Sequence, residues 1–466
     1  MSESHKSFSL LQRIPHAITM LFGIFVLVTI LSYIIPAGAY ERIMIDGRST
    51  VVPNSYRTIS STPISFFEMF TAMPLGFKAA VEIIFIVLSG AIMFGFMDKS
   101  KAVENTVGTL VRSLGSNKKH TIIVVMTFVY GFLGVAVGYE NNIAMVPIAA
   151  VLSLALGGDL ILAAGISVGA MTIGFGLSPI NPYTVGTGHK IAELPMFSGA
   201  ILRSILCFAA LTFMAYYNLR YFKRIQADPA KSLGIGLNIE NLALSQSLEK
   251  YHISSQNRLV LVTFIIGIGI ILYGVFNLGW YINELSAVFL IIGLACGLIS
   301  RMSATEMSET VLKAVALAAP GAFMVGFATT IKILMEMGNI GDTISYQLSE
   351  ILKDLPLHAS AICMSISQSV INFFIPSGSG QALATLPVML PLGQTLGLTG
   401  QTTILAFQIG DGLSNLINPT LGGLIAMLSM CRVPIDRWIR FIFPVLIVLL
   451  IFASIALLVA VSINYN

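Results

Sequence analysis

Between Ala359 and Cys431 the chain carries one charged side chain, Asp411, and this apolar region is cut by the run Pro376, Ser377, Gly378, Ser379, Gly380. Together the two facts leave few folds open. A stretch so poor in charge belongs in lipid, yet lipid offers no partner to a backbone N–H or C=O freed where a helix breaks. Irregular chain at membrane depth therefore persists only where protein covers it or where it lines a wet cavity. The break predicts such a cavity inside a helical membrane protein.

Composition points the same way. Of 466 residues 56% are hydrophobic and 10% charged, against about 25% charged in soluble domains. Each span needs ~20 apolar residues, so the recurring apolar runs hold on the order of ten spans and leave no room for a sizeable soluble domain. The net charge of +4 sits in short loops, where it reports orientation rather than a basic face for nucleic acid; no nucleic-acid partner is expected. Cys207, Cys296, Cys363 and Cys431 stand singly in apolar runs, and the six histidines form no paired-ligand pattern. Neither a disulfide framework nor a metal motif is expected. With no Ser/His/Asp constellation or phosphate loop, the chain is not read as an enzyme. Lys6 and Arg13 precede an apolar run from Ile18 to Ile35 that is long enough to span, and we read it as a first helix rather than a cleaved leader.

Charge then orients the spans. Charge-poor runs cover roughly 16–36, 79–98, 121–138, 143–157, 160–188, 198–219, 258–278, 281–300, 313–338, 359–375, 381–396, 402–428 and 438–462. Lysine and arginine concentrate in the N-terminus, 99–119, 220–257 and 432–440, which the positive-inside rule places in the cytoplasm. Loops 37–62 and 339–357 then face outward. Counting crossings makes 121–138 and 143–157 a hairpin that enters from the inside and turns back at Gly138–Asn142. By the same count 359–375 and 381–396 enter from the outside and turn back at Pro376–Gly380.

The two halves also repeat in order. Gly176, Leu177, Ser178 followed by Asn181 and Pro182 recurs as Gly412, Leu413, Ser414 followed by Asn418 and Pro419, and each motif follows a hairpin. The odd helix between them, 258–278, inverts the second half relative to the first. Matched Gly/Pro-interrupted segments in inverted repeats are the sequence pointer to a midplane site in secondary transporters. The expected organisation is all-α and polytopic: a first repeat at 1–219 (hairpin about 121–157, broken helix about 160–196), a cytoplasmic linker and connecting helix at 220–280, and a second repeat at 281–466 (hairpin about 359–396, broken helix about 402–428).

The chemistry follows from what these segments contain. Glu140 is the one charged side chain between Thr121 and Gly158, as Asp411 is in the later region, and either costs roughly 2.5–3.5 kcal/mol at the bilayer centre by insertion scales. Each is expected to face a cavity with a partner or ion. Asn141, Asn142, Ser178, Asn181 and Thr184 in the first repeat, and Ser377, Ser379, Gln381, Ser414, Asn415, Asn418 and Thr420 in the second, supply small polar groups for a solute. Half-helix N-termini carry partial positive charge that suits a carboxylate. Carbonyls at the opposing ends suit Na⁺, with Asp411, Asn181 and Asn418 as candidate ligands. Gly378 and Gly380 allow the close backbone approach that a ligand loop requires. Lys332 and Glu336 are spaced i,i+4 and read as a mutual surface pair; Glu82 reads similarly with Lys78.

The segments "NFFIPSGSGQALATLPVMLPLGQ", "TILAFQIGDGLSNLINPT" and "MCRVPIDRW" resemble the YfcC family, close to the anaerobic C4-dicarboxylate carriers of the ion transporter superfamily, and the resemblance runs from first helix to last. It implies a homodimer in a bacterial inner membrane, a scaffold domain and a moving transport domain, and elevator-type alternating access coupled to Na⁺ or H⁺. By position, Ser377–Gln381 would be a ligand loop, Asp411 and Asn418 would lie in the second broken helix, and Glu140–Asn142 in the first tip. Relatives often carry two adjacent acids at that tip. Here Glu140 is followed by Asn141 and Asn142, which weakens the case for a cationic solute.

The sequence thus predicts a cation-coupled secondary transporter for a small carboxylate-bearing metabolite, an amino acid or organic acid. A Na⁺/H⁺ exchanger without organic solute and a basic amino acid antiporter are the alternatives. An ion channel ranks below them, since paired hairpins suit a site occluded from each side in turn.

Overall fold

The computed structural model describes residues 17–45, 48–114, 118–137, 139–240, 242, 250–280, 282–352 and 355–466. Among them, seven helices are long and apolar enough to cross a membrane: Val81–Lys99, Ala200–Ala227, Ser255–Gly274, Ile282–Ile299, Ala304–Met337, Leu357–Phe374 and Ile435–Ser462. Their outward faces stay apolar, with Ile201 80% and Ile265 66% exposed, so their solvent is hydrocarbon. Polar residues mark where they leave it. Ser254 and Ser303 each close a capping box, with Asn257 and Glu306 respectively, at the start of Ser255–Asn277 and Ala304–Met337. The latter helix, 34 residues, is about 51 Å long at 1.5 Å per residue. It exceeds the ~30 Å hydrocarbon core and must tilt or project.

Charge-poor runs and helices coincide closely, with three additions. Phe66–Ala79, Ala102–Leu114 and Gly341–Leu352 are helices that carry polar or charged residues, so hydropathy alone does not single them out. The loop after the first helix, Ala17–Ile34, also holds short antiparallel pairs, Arg42–Ile45 with Arg48–Val51 and Gly38–Ala39 with Arg57–Thr58. It is pinned to Gly341–Leu352 by an Arg42–Asp342 ion pair at 2.6 Å and by Tyr56 stacked on Tyr346 at 4.1 Å. Tyr40, buried in this junction next to Asp342, has its hydroxyl pKa pushed well up, burial first and the Asp342 charge second.

Two helix–turn–helix stretches lie in the regions read from sequence as hairpins. Lys119–Val137 is followed by a 3₁₀ turn, Glu140–Met145, and the helix Val146–Ala155. Across the reversal the Tyr130 hydroxyl donates to the Met145 carbonyl (2.8 Å) and the Asn142 amide to the Leu133 carbonyl (3.2 Å). Leu357–Phe374 turns into Gly378–Thr395, where the Gln381 amide donates to the Gln368 carbonyl (2.8 Å) and side-chain oxygen (2.7 Å).

Two further helical segments are interrupted, and an asparagine stands at each interruption. The first segment runs from Leu160 to Gly176 through a π turn at Gly165–Gly169 and resumes at Pro182. The Asn181 amide donates to the freed Phe175 carbonyl (2.9 Å) while its Oδ1 accepts from Tyr183 N (2.8 Å). In the second segment Gly400–Ser414 stops and Gly422–Met430 begins. There the Asn418 amide donates to the Asn372 carbonyl (3.0 Å) and its Oδ1 accepts from Thr420 N (3.0 Å). Two Asn-Pro pairs thus do one job: they satisfy backbone groups that lipid cannot.

The breaks meet each other. A Cβ on Gly176 would stand 2.7 Å from Gly412 Cα, and one on Gly412 would meet Gly176 backbone in turn. Only glycine at both positions permits this contact. Gly412→Ala is expected to cost about 1–3 kcal/mol, because the obstacle is backbone and cannot rotate away. Gly269→Ala, on the helix Ser255–Asn277 with open space around it, should leave the melting temperature unchanged or raise it. Equal melting curves for the two variants would contradict the contact.

Candidate functional site

The site is built around the tip of the second hairpin. Ser377 caps Gly378–Thr395, its hydroxyl accepting from Gly380 N (3.3 Å), so the helix begins at the glycine itself. A Cβ on Gly378 would lie 2.7 Å from Thr184 Cγ2 and 3.5 Å from Asp411 Oδ2. One glycine therefore touches the restarted half of the first broken segment and the carboxylate of the second. Asp411 is fully buried, and its own carbonyl accepts from the Asn372 amide (3.0 Å), which fastens the break to the hairpin's entering helix.

In front of the tip lies a cavity of about 230 Å³. Ser377, Gly378 and Ser379 of the tip line it together with Asn415 and Thr420 and with Tyr139, Phe175 and Tyr183. Opposite stand Ala79, Ile83, Ile282, Thr329 and Lys332, contributed by helices outside the hairpins and breaks. The lining mixes hydroxyls, an amide and aromatic faces, as a small polar solute requires.

The residues expected from sequence divide by what they touch. Ser377, Gly378, Ser379 and Asn415 line the cavity; Asp411 and Thr184 lie against the tip. Asn181 and Asn418 are buried and engaged in capping the breaks. Ser178 donates to the Val135 carbonyl (3.1 Å), and its carbonyl accepts from the Gln408 amide (2.7 Å), tying the first break to its hairpin and to the second segment. Gln381 turns inward to Gln368, and Asn142 toward Leu133. The side chains of Glu140 and Asn141 lie outside the described residues. Glu82, read from sequence as a partner of Lys78, accepts instead from the Asn283 amide (2.9 Å).

Two cations matter more than sequence alone conveys. Lys332, read as half of a surface pair, does stand 3.7 Å from Glu336 but also lines the cavity. Arg203 stands inside the apolar run 198–219, and that position is the signal that it is special. It is 1% exposed, and its described hydrogen-bond partners are all neutral: the Gln408 and Gln401 side-chain oxygens and the Tyr465 hydroxyl, each at 2.9 Å, and the Ser198 carbonyl at 3.1 Å. Burying a guanidinium is tolerable only with its donors filled. The Nε–Gln408–Ser178 chain makes Arg203 a tie between the two broken segments.

The profile of the family described as C4-dicarboxylate anaerobic carrier matches residues 14–462. An Escherichia coli K12 protein named "Putative basic amino acid antiporter YfcC" is 28% identical over 97% of this chain and 97% of its own. A Haemophilus influenzae protein named only "Uncharacterized protein" is 25% identical over 96% and 97%. Among solved structures, Neisseria gonorrhoeae MtrF, described with a class of antimetabolite efflux pumps, aligns with a TM-score of 0.45 and 16% identity over 96% of this chain and 95% of its own. The Alcanivorax borkumensis YdaH transporter aligns at 0.44 and 15% over 97% and 99%. With a family match that spans nearly every residue, this chain belongs to the C4-dicarboxylate anaerobic carrier family and is a multi-pass membrane transporter.

Proposed function

We propose that the protein is a cation-coupled secondary transporter for a small carboxylate-bearing solute, an amino acid or organic acid, working by elevator-type alternating access. Hairpins 121–157 and 359–396 with broken segments 160–196 and 402–428 form the moving transport domain, together with the helices Ala200–Ala227 and Ile435–Ser462 that Arg203 and Trp438 bond to them, and the helices across the seam form the scaffold. The halves 1–219 and 281–466 are inverted repeats joined by 220–280. Na⁺ or H⁺ is the coupling ion, and the protein works as a homodimer in a bacterial inner membrane with its N-terminus in the cytoplasm.

The observation that carries this reading is the meeting of Gly378, Thr184 and the Asp411 carboxylate at one tip. The helix that starts there turns its partial positive end to the cavity, where a carboxylate is favoured. Behind the same loop the fully buried Asp411 sets a carboxylate where a coupling Na⁺ or proton would act. Solute and cation thus act on opposite faces of a glycine loop, and each stiffens the loop for the other.

The seam between the two sets of helices supports alternating access. On one side the solute cavity shares Lys332 with a second cavity lined by Arg42, Asn339 and Asp342, in loops that the charge distribution turns outward. Beyond the site the seam is shut where Gly90 meets Ala144, Gly422 meets Val325 and Gly321 meets Ser429. Past that seal opens a cavity of about 440 Å³ lined by Asp98, Lys99, Lys101, Lys313 and Arg432, among the segments read as cytoplasmic. In the orientation proposed above, this arrangement corresponds to an outward-facing state.

Three outcomes test the reading. Asp411→Asn should abolish cation-driven uptake in proteoliposomes while the protein remains folded; wild-type flux in that variant would remove Asp411 from the mechanism. Gly378→Ala should slow transport at least tenfold, and Thr184→Ser, which deletes the methyl that the new Cβ strikes, should restore part of it. Additive losses in the double variant would place the two residues apart. Finally, a solute at 100 times its Kd should stabilise the purified protein by about 2.7 kcal/mol, and only when the coupling cation is present. Stabilisation by Na⁺ or protons alone, with no organic solute active, would favour the exchanger reading.

A further inference from the structure

Lys332 lines the solute cavity from the long helix Ala304–Met337, across from Ser377–Ser379. Among the described residues around that cavity it is the only charged one. Its pairing with Glu336 does not account for it. In an i,i+4 pair the acid-first order is the more stabilising one, and here the lysine comes first. The 3.7 Å separation exceeds the ~2.7–2.9 Å of a charge-assisted hydrogen bond, and the two side chains are 46% and 59% exposed. The ammonium therefore keeps donors for another oxygen.

Its position adds to this. Lys332 also borders the adjoining cavity of about 370 Å³, lined by Arg42, Glu336, Asn339 and Asp342, so it stands where the two spaces adjoin and is the one of these charged groups that also lines the solute cavity. A solute entering from that side meets the ammonium before the tip.

We infer that Lys332 is the charge-selecting residue of the solute site: it takes a carboxylate of a net-anionic solute and disfavours basic amino acids, although a 28% identical relative bears the name of a basic amino acid antiporter. The inference rests on the transporter reading above and narrows its solute to anions. Since Lys332 belongs to the helices proposed as scaffold, the contact is made on the outward side and released as the hairpins move.

The test is uptake by full-length protein in proteoliposomes under an inward Na⁺ or proton gradient, with succinate, L-alanine and L-arginine as probes. Wild type should prefer succinate. Lys332→Met should raise the KM for succinate at least tenfold with kcat changed less than threefold, and should lower the succinate-to-arginine preference. Lys332→Arg should retain that preference, and Glu336→Gln should behave as wild type. Lys332→Gln, carried in parallel, reads the same charge loss should the Met variant misassemble. A wild-type preference for arginine would overturn the inference, as would Lys332→Met kinetics equal to wild type or an equal loss in Glu336→Gln. Wild type that takes up none of the probes would instead bring down the transporter reading itself, and this inference with it.

Discussion

Every unusual feature of this chain follows from the cost of an unpaired backbone group in hydrocarbon. A helix broken at depth frees carbonyls before the break and N–H groups after it, each worth several kcal/mol if left bare. Asn181 repairs both ends of the first break, its amide reaching back to the Phe175 carbonyl and its oxygen forward to Tyr183 N; at the second, Asn418 accepts from Thr420 N and donates to the Asn372 carbonyl of the hairpin helix, while the Asn372 amide covers the Asp411 carbonyl. Such a repair works only under cover. The hairpin helix Lys119–Val137 approaches the first segment where Gly134 faces Met171 and Gly174 faces Gly131, and Leu357–Phe374 approaches the second where Gly410 faces Ser365. The hairpins exist to roof the breaks, and the cavity is the space left at their tips.

That constraint explains what could be read from sequence. A lone Asp411 in an uncharged region, two prolines after asparagines and a Ser-Gly tip are each costly in lipid, so each announced a structural purpose, and Ser377, Gly378, Ser379 and Asn415 do line one cavity. What escaped were elements that lipid does not penalise. Phe66–Ala79, Ala102–Leu114 and Gly341–Leu352 carry polar faces that suit an interface between media. Arg203 was masked by a different effect, since its long apolar run averages out one charge. The division of labour among the asparagines was equally invisible, because capping and ligand binding ask for the same amide.

Electrostatics separates the two sides of the tip. Arg203 is held by neutral oxygens, so its charge is spread over dipoles rather than cancelled, and it ties Gln408, one turn before Asp411, to the Ser178 carbonyl. The positions of Asp411 and of the Gly176–Gly412 contact are thereby fixed by a network that is costly to disturb. Lys332, in contrast, sits half exposed across the cavity on a helix that takes no part in that network. The half-exposed charge and the buried ones are thus held by different sets of helices.

This arrangement bears on how the site changes access. A mechanism that opened the two broken segments away from each other would separate Gly176 from Gly412 and pull Gln408 from Ser178, exposing backbone groups that only their mutual contact covers. Sliding all four segments together with the helices Ala200–Ala227 and Ile435–Ser462 bonded to them would keep those contacts and exchange the seam where Gly90 faces Ala144, Gly321 faces Ser429 and Gly422 faces Val325. Those contacts are mostly between small side chains that make no hydrogen bond across the seam, so their loss on one level is matched by similar packing on another. Motion is cheapest along the surface that carries the fewest directional bonds. In this protein that surface runs between the hairpin-bearing segments and the helices Val81–Lys99 and Ala304–Met337, the seam along which the proposed elevator motion would slide.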